Sequence, residues 1–257
     1  MEKSFILSRN GIDILCKQTE PDFGDIRRVV LGVHGIGGSS QDEIQTGIAE
    51  EMELFYSATL RFDFPGHGDS PVEDFSIHGC VDSLLAVAAY AREQYPEVED
   101  LCVFASGFGA YVTLVALDAL LAMPGKIKLV IQTPSVLMHE TLLAMTHTSL
   151  PTLKAMGYTG FGRLARPLKV PYSAYQEMLD NLVLTSYDIP MLILQGEEDS
   201  YIKMEDIRQL RRLNENARLV TIPGASHRFL EEGAWDMVLD LTRDWFEFEQ
   251  VLCCDWE

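Results

Sequence analysis

The chain has 257 residues, 47 % of them hydrophobic, enough for one domain with a buried sheet between helical layers. Its 39 acidic against 20 basic residues leave a formal net charge of −19, spread over short runs such as Glu50-Glu51 and Glu231-Glu232. That balance argues against a grip on nucleic-acid phosphates or on anionic membranes and reads as a solvated acidic surface.

Five cysteines, Cys16, Cys80, Cys102, Cys253 and Cys254, show no metal-ligand spacing. With no apolar signal core after Met1 and no run of ~18 apolar residues, a reducing cytoplasm is the expected setting, without a membrane span.

Two short apolar runs, residues 5–8 and 12–16, flank Asn10-Gly11, a dipeptide that supplies positive φ for a tight hairpin. Strand-like runs then follow at residues 29–33, 58–62, 101–104, 128–131, 191–194 and 219–222. Between most of them lie amphipathic segments, with helices expected over 42–55, 79–94, 109–121, 204–213 and 234–250. This alternation predicts an α/β fold, a mostly parallel sheet covered on both faces. One interval breaks it. Residues 131–191 contain five prolines and several glycines and show no clear strand. Within it, residues 135–188 are expected to form a mostly helical cap inside one domain spanning 1–257. Met138, Met145, Met156, Phe161 and Tyr175 are its candidate substrate-binding residues.

The segment Phe104-Ala105-Ser106-Gly107-Phe108-Gly109-Ala110 passes from a buried strand into a helix, the context of a nucleophile elbow. An elbow needs small residues two before and two after its apex. With position 107 as apex those are Ala105 and Gly109; with Ser106 they would be Phe104 and Phe108, too bulky for close strand-helix approach. The nucleophile position therefore falls on Gly107, which has no attacking atom.

Four further motifs follow the order of the α/β-hydrolase superfamily, which the chain resembles from about Val29 to Phe246, within its lidded carboxylesterases, acyl-glycerol lipases and cinnamoyl esterases. His34-Gly35-Ile36-Gly37-Gly38 resembles the loop that contributes one oxyanion amide, here from Ile36, and the elbow's Phe108 would supply the other. Asp63-Phe64-Pro65-Gly66-His67-Gly68-Asp69-Ser70 is close to the family's Asp-x-x-Gly-x-Gly-x-Ser turn. Gly196-Glu197-Glu198-Asp199 holds the spacing of the triad acid, so the resemblance implies Asp199 over its two glutamate rivals. His227, after the last strand, stands in the catalytic-histidine loop.

The implied chemistry is acyl transfer in which His227 takes a proton, Asp199 orients it and two amides hold the oxyanion. No metal or cofactor is implied. Two readings stay open: a serine carboxylesterase for small to medium esters carrying Ser→Gly at 107, or a naturally non-catalytic protein binding an acyl ligand or a partner. A carboxylate nucleophile is not offered, since neither residue 106 nor 107 is acidic, and the oligomeric state cannot be read.

Overall fold

Asn10 and Gly11 both take positive φ, 53° and 79°, and turn strand β1 (Glu2–Arg9) back onto β2 (Ile12–Thr19). The computed structural model describes residues 2–162 and 166–250, so Cys253 and Cys254 lie outside the described residues. Cys16, Cys80 and Cys102 are free and buried.

Beyond the hairpin the chain alternates strand and helix: β3 (Arg28–Val33), α1 (Glu43–Leu54), β4 (Ser57–Phe62), α2 (Ile77–Gln94), β5 (Asp100–Ser106), α3 (Phe108–Val115), α4 (Leu117–Leu121) and β6 (Lys126–Gln132). An insertion follows, with α5 (Met138–Met145), α6 (Leu150–Met156), β7 (Tyr158–Phe161), β8 (Leu168–Pro171) and α7 (Tyr172–Asp180). The alternation then resumes with β9 (Met191–Gly196), α8 (Met204–Leu213), β10 (Ala217–Ile222) and α9 (Ala234–Phe248).

Eight strands form one sheet in the order β1-β2-β4-β3-β5-β6-β9-β10. The β1–β2 and β2–β4 pairs are antiparallel, and the remaining pairs are parallel. Alternating side chains separate two cores. Leu31, Val33, Val103, Leu129 and Ile193 pack with α2 and α3 residues such as Leu84 and Tyr111, whereas Val30, Phe104, Val130 and Leu192 pack with Ile48 of α1 and Trp245 of α9. Burial on both faces explains why the central strands read as unbroken apolar runs. Among the described residues, no helix is long and apolar enough to cross a membrane.

Two expectations need correction. The helix expected over 109–121 starts one residue earlier and breaks at Ala116 into α3 and α4. No glycine or proline marks the break, so the apolar periodicity runs through it. The interval expected to lack strands contains the two-stranded antiparallel sheet of β7 and β8. These are four-residue strands, and Gly160 lies where a Cβ would collide with the Leu168 carbonyl, so they are too short to show alternation.

The insertion is tied to the sheet body by polar contacts. The Glu177 carboxylate of α7 accepts the Ile77 and His78 N–H groups at 2.6 and 3.1 Å, capping the N-terminus of α2 from outside. Tyr111 donates to the Asn181 carbonyl at 3.0 Å, and Arg166 donates to the Ser70 carbonyl at 2.7 Å. Glu177→Ala is expected to lower stability by about 1–2 kcal/mol, the worth of a helix cap. A urea midpoint unchanged from the parent's would show that the cap contributes nothing.

Candidate active site

The elbow forms because β5 runs straight into α3 with Gly107 between them at φ 52°, ψ −110°, a conformation that glycine adopts without cost. Gly109 lets α3 start against the end of β3: a Cβ there would stand 2.5 Å from the Val33 and His34 carbonyl oxygens. Position 107 is the apex that faces the histidine. A Cβ built on Gly107 would lie 3.9 Å from His227 Nε2 and 4.0 Å from Ser135 Oγ, with no other heavy atom as near outside its own chain neighbours. Ser106 turns away, its buried hydroxyl donating to Gln132 Oε1 at 3.0 Å.

His227 Nδ1 and Asp199 Oδ2 are 2.8 Å apart, with the carboxylate side chain 1 % exposed and the imidazole 20 %. Gly196 makes this pairing possible, because a Cβ there would strike the Ala225 and Ser226 carbonyls and hold the histidine loop off β9. Asp199 Oδ1 accepts the Tyr201 and Ile202 N–H groups at 2.8 and 3.0 Å, and Gln195 Nε2 donates to Oδ2 at 3.1 Å. Burial alone would raise the Asp199 carboxyl, but the hydrogen bond and charge of His227 and the two N–H groups outweigh it and hold it below its usual value. Glu197, a rival for the acid role, accepts the Gly224 N–H at 3.0 Å and so shapes the histidine loop instead.

The loop after β3 is set by His34, whose Nδ1–H donates to the Gly35 carbonyl at 2.8 Å while Nε2 accepts the Phe64 N–H at 3.1 Å. Gly35 comes within 3.6 Å of the Ser106 carbonyl, counted from a Cβ built on it, which brings the Ile36 loop beside the elbow. Phe108 opens α3, where a helix leaves its N–H without an intrahelical acceptor. The Asp63 carboxylate ties the Asp-x-x-Gly-x-Gly-x-Ser turn to this loop, accepting the Ser40 and Asp69 N–H groups at 2.6 and 2.8 Å.

A cavity of about 270 Å³ opens beside this loop, lined by Gly37, Gly38, His67, Asp69, Arg166 and Leu168 among others. A smaller one of about 80 Å³ lies between α5 and the acid loop, lined by Val136, Leu137, Tyr201 and Ile202 among others. None of the five residues expected to bind substrate lines either cavity. Met138 and Tyr175 are buried in the main core, Met145 and Phe161 are half-buried, and Met156 is 58 % exposed. Spacing alone cannot tell a helix's packing face from a face toward a ligand.

Sequence reasoning missed Ser135, Gln195 and Tyr201. Tyr201 sets its ring edge against His227 with centroids 5.3 Å apart, and its place two residues after Asp199 was the available signal. Among the described residues no group of three or more His, Cys, Asp or Glu side chains is arranged to hold a metal ion.

A strand, tight turn and helix beside a hydrogen-bonded Asp-His pair suit one class, and the sequence agrees: residues 29–241 match the profile of the alpha/beta hydrolase family, and the chain belongs to that family. The solved structures it resembles include Est1E from Butyrivibrio proteoclasticus with ferulic acid bound, at 19 % identity and TM-score 0.81, covering 97 % of this chain and 100 % of that one. They also include mouse alpha/beta hydrolase domain-containing protein 10, at 15 % identity and TM-score 0.75 over 96 % and 100 %. A lidless serine hydrolase from Xanthomonas campestris aligns at 18 % identity and TM-score 0.66 over 99 % and 97 %. At these identities the likeness is one of fold. No curated protein sequence matches significantly.

Proposed function

We propose that this site is that of a serine carboxylesterase for small to medium acyl or aryl esters, present here without its nucleophile because residue 107 is glycine. The carrying observation is the 3.9 Å between a Cβ built on Gly107 and His227 Nε2, whose Nδ1 pairs with buried Asp199. One covalent bond beyond that Cβ, a serine oxygen would come within the about 2.6–3.2 Å that proton transfer needs. His227 would serve as base, Asp199 as its orienting carboxylate, and the Ile36 and Phe108 amides as oxyanion donors. Residues 135–188 would act as the cap. The ferulic acid bound in Est1E supports including aryl esters.

The glycine itself favours the second reading, a protein that binds an acyl ligand without turning it over. A panel of p-nitrophenyl acetate, butyrate and octanoate offered to Gly107→Ser protein separates the two. Turnover that disappears with His227→Ala supports the esterase site. No turnover of any member, in a folded protein, supports the binding role.

A further inference from the structure

Beside Gly107 stands a hydroxyl, that of Ser135, which the Asp199–His227 pairing does not use. Ser135 leaves β6 through Thr133, a β-branched residue at φ 43°, a conformation rare for its type. That bend is held by the Thr133 N–H on the Leu194 carbonyl at 2.8 Å and by the Ser135 N–H on the Gly107 carbonyl at 3.2 Å. It carries Ser135 Oγ to 4.0 Å from the point where a Gly107 Cβ would stand, on a residue 3 % exposed. Among the described residues, Ser135 Oγ makes no hydrogen bond to another protein group. His227 Nε2 approaches the same point to 3.9 Å.

Two polar groups thus stand about 4 Å from the place of a Gly107 Cβ, one on each of two separate loops. We infer that Ser135 and His227 together hold a water molecule there, and that this water replaces the absent serine as nucleophile toward activated acyl compounds, aryl esters or thioesters. This rests on the acyl-site reading above.

The step balances without a covalent enzyme intermediate. Water oxygen bonds to the acyl carbon while its proton passes to His227 Nε2, and Ser135 fixes the direction of its lone pair. The tetrahedral oxyanion rests on the Ile36 and Phe108 amides. The bond to the leaving group then breaks, and the departing phenoxide or thiolate takes the proton from His227. Products are a carboxylic acid and a phenol or thiol. Aryl esters and thioesters are favoured because water is a weaker nucleophile than a triad serine and needs a good leaving group.

The test is kcat/KM for p-nitrophenyl acetate in four proteins: the Gly107 chain, Ser135→Ala, Gly107→Ser, and Gly107→Ser with Ser135→Ala. His227→Ala supplies the background in both series. Ser135→Ala is expected to lower the His227-dependent kcat/KM of the Gly107 chain about tenfold or more. In Gly107→Ser it is expected to cost less than about threefold, since the new hydroxyl takes over the water's place. A loss of similar size in both backgrounds makes Ser135 merely structural and overturns the inference. So does turnover confined to the Gly107→Ser background, which leaves the acyl-site reading intact. Absence of His227-dependent turnover in all four proteins overturns both. Acid-quenched Gly107 protein is also weighed after acetylation, and an acetyl group found on Ser135 would show that its oxygen, rather than water, attacks.

Discussion

Gly107→Ser is expected to raise His227-dependent hydrolysis of p-nitrophenyl acetate on the order of 10³-fold or more over the glycine protein. On the proposed esterase reading Asp199, His227 and a hydroxyl at 107 would act as a unit, so supplying that hydroxyl would recover most of what such a set supplies. Nothing else needs to move: the imidazole is aimed at the apex, its Nδ1 pairs with Asp199 at 2.8 Å, and the elbow backbone has the conformation of its type. The same substitution is expected to lower stability. At φ 52°, ψ −110° a non-glycine residue carries strain of about 1–3 kcal/mol. In a chain of this size that shifts Tm down by roughly 2–4 °C per kcal/mol. Steady-state rates and melting curves on both proteins measure the pair of effects. A serine form that is faster and also markedly more stable would mean that the elbow relaxes on substitution.

The second large effect is acid lability centred on two buried histidines. His67, 2 % exposed, is pushed down by burial from 6.5 to about 3, with the neighbouring His34 and Arg166 adding to the shift. His34 is likewise lowered, mainly by burial. Both are held neutral in the fold, with His67 Nδ1–H donating to the Pro65 carbonyl at 2.9 Å. A group whose folded pKa is depressed contributes stability that is complete above its unfolded value and is lost as pH falls toward its folded one. For His67 that window runs from about 6.5 down to about 3, at up to about 1.4 kcal/mol per pH unit. Over the same range protonation of the 39 Asp and Glu residues relieves the repulsion of the −19 net charge, an opposing effect. The comparison is therefore with His67→Asn, which removes the titrating ring. Urea unfolding at pH 7.5, 6, 5 and 4 should show the variant less stable at pH 7.5 but with a shallower loss below pH 6. Parallel slopes would exclude His67 as a source of acid lability.

Much of the sheet was legible because its central strands are buried on both faces and stand out as apolar runs. A tight turn at 107 was expected for a steric reason, that Ala105 and Gly109 suit an apex there whereas Phe104 and Phe108 do not suit one at 106, and Gly107 does take positive φ between β5 and α3. The Asp199–His227 contact could be expected only through the order of motifs, since 28 residues separate the two and no local spacing links them. The insertion was legible as an interruption but not in its interior. β7 and β8 are too short for a period, and Met138 and Tyr175 show the same apolar spacing whether they pack inward or face a ligand. Ser135 was invisible because its position depends on the bend at Thr133, a tertiary constraint with no local sequence signature.

Covalent labelling tests most directly that position 107 faces the reactive nitrogen of His227. Gly107→Ser protein is treated with a fluorophosphonate, digested, and the modified peptide fragmented to assign the residue. The expected result is one phosphonate per chain on residue 107, absent from the glycine protein at that position and abolished by His227→Ala. A folded Gly107→Ser protein that takes no label, or that takes it on Ser106, would contradict the assignment of Gly107 as the nucleophile position.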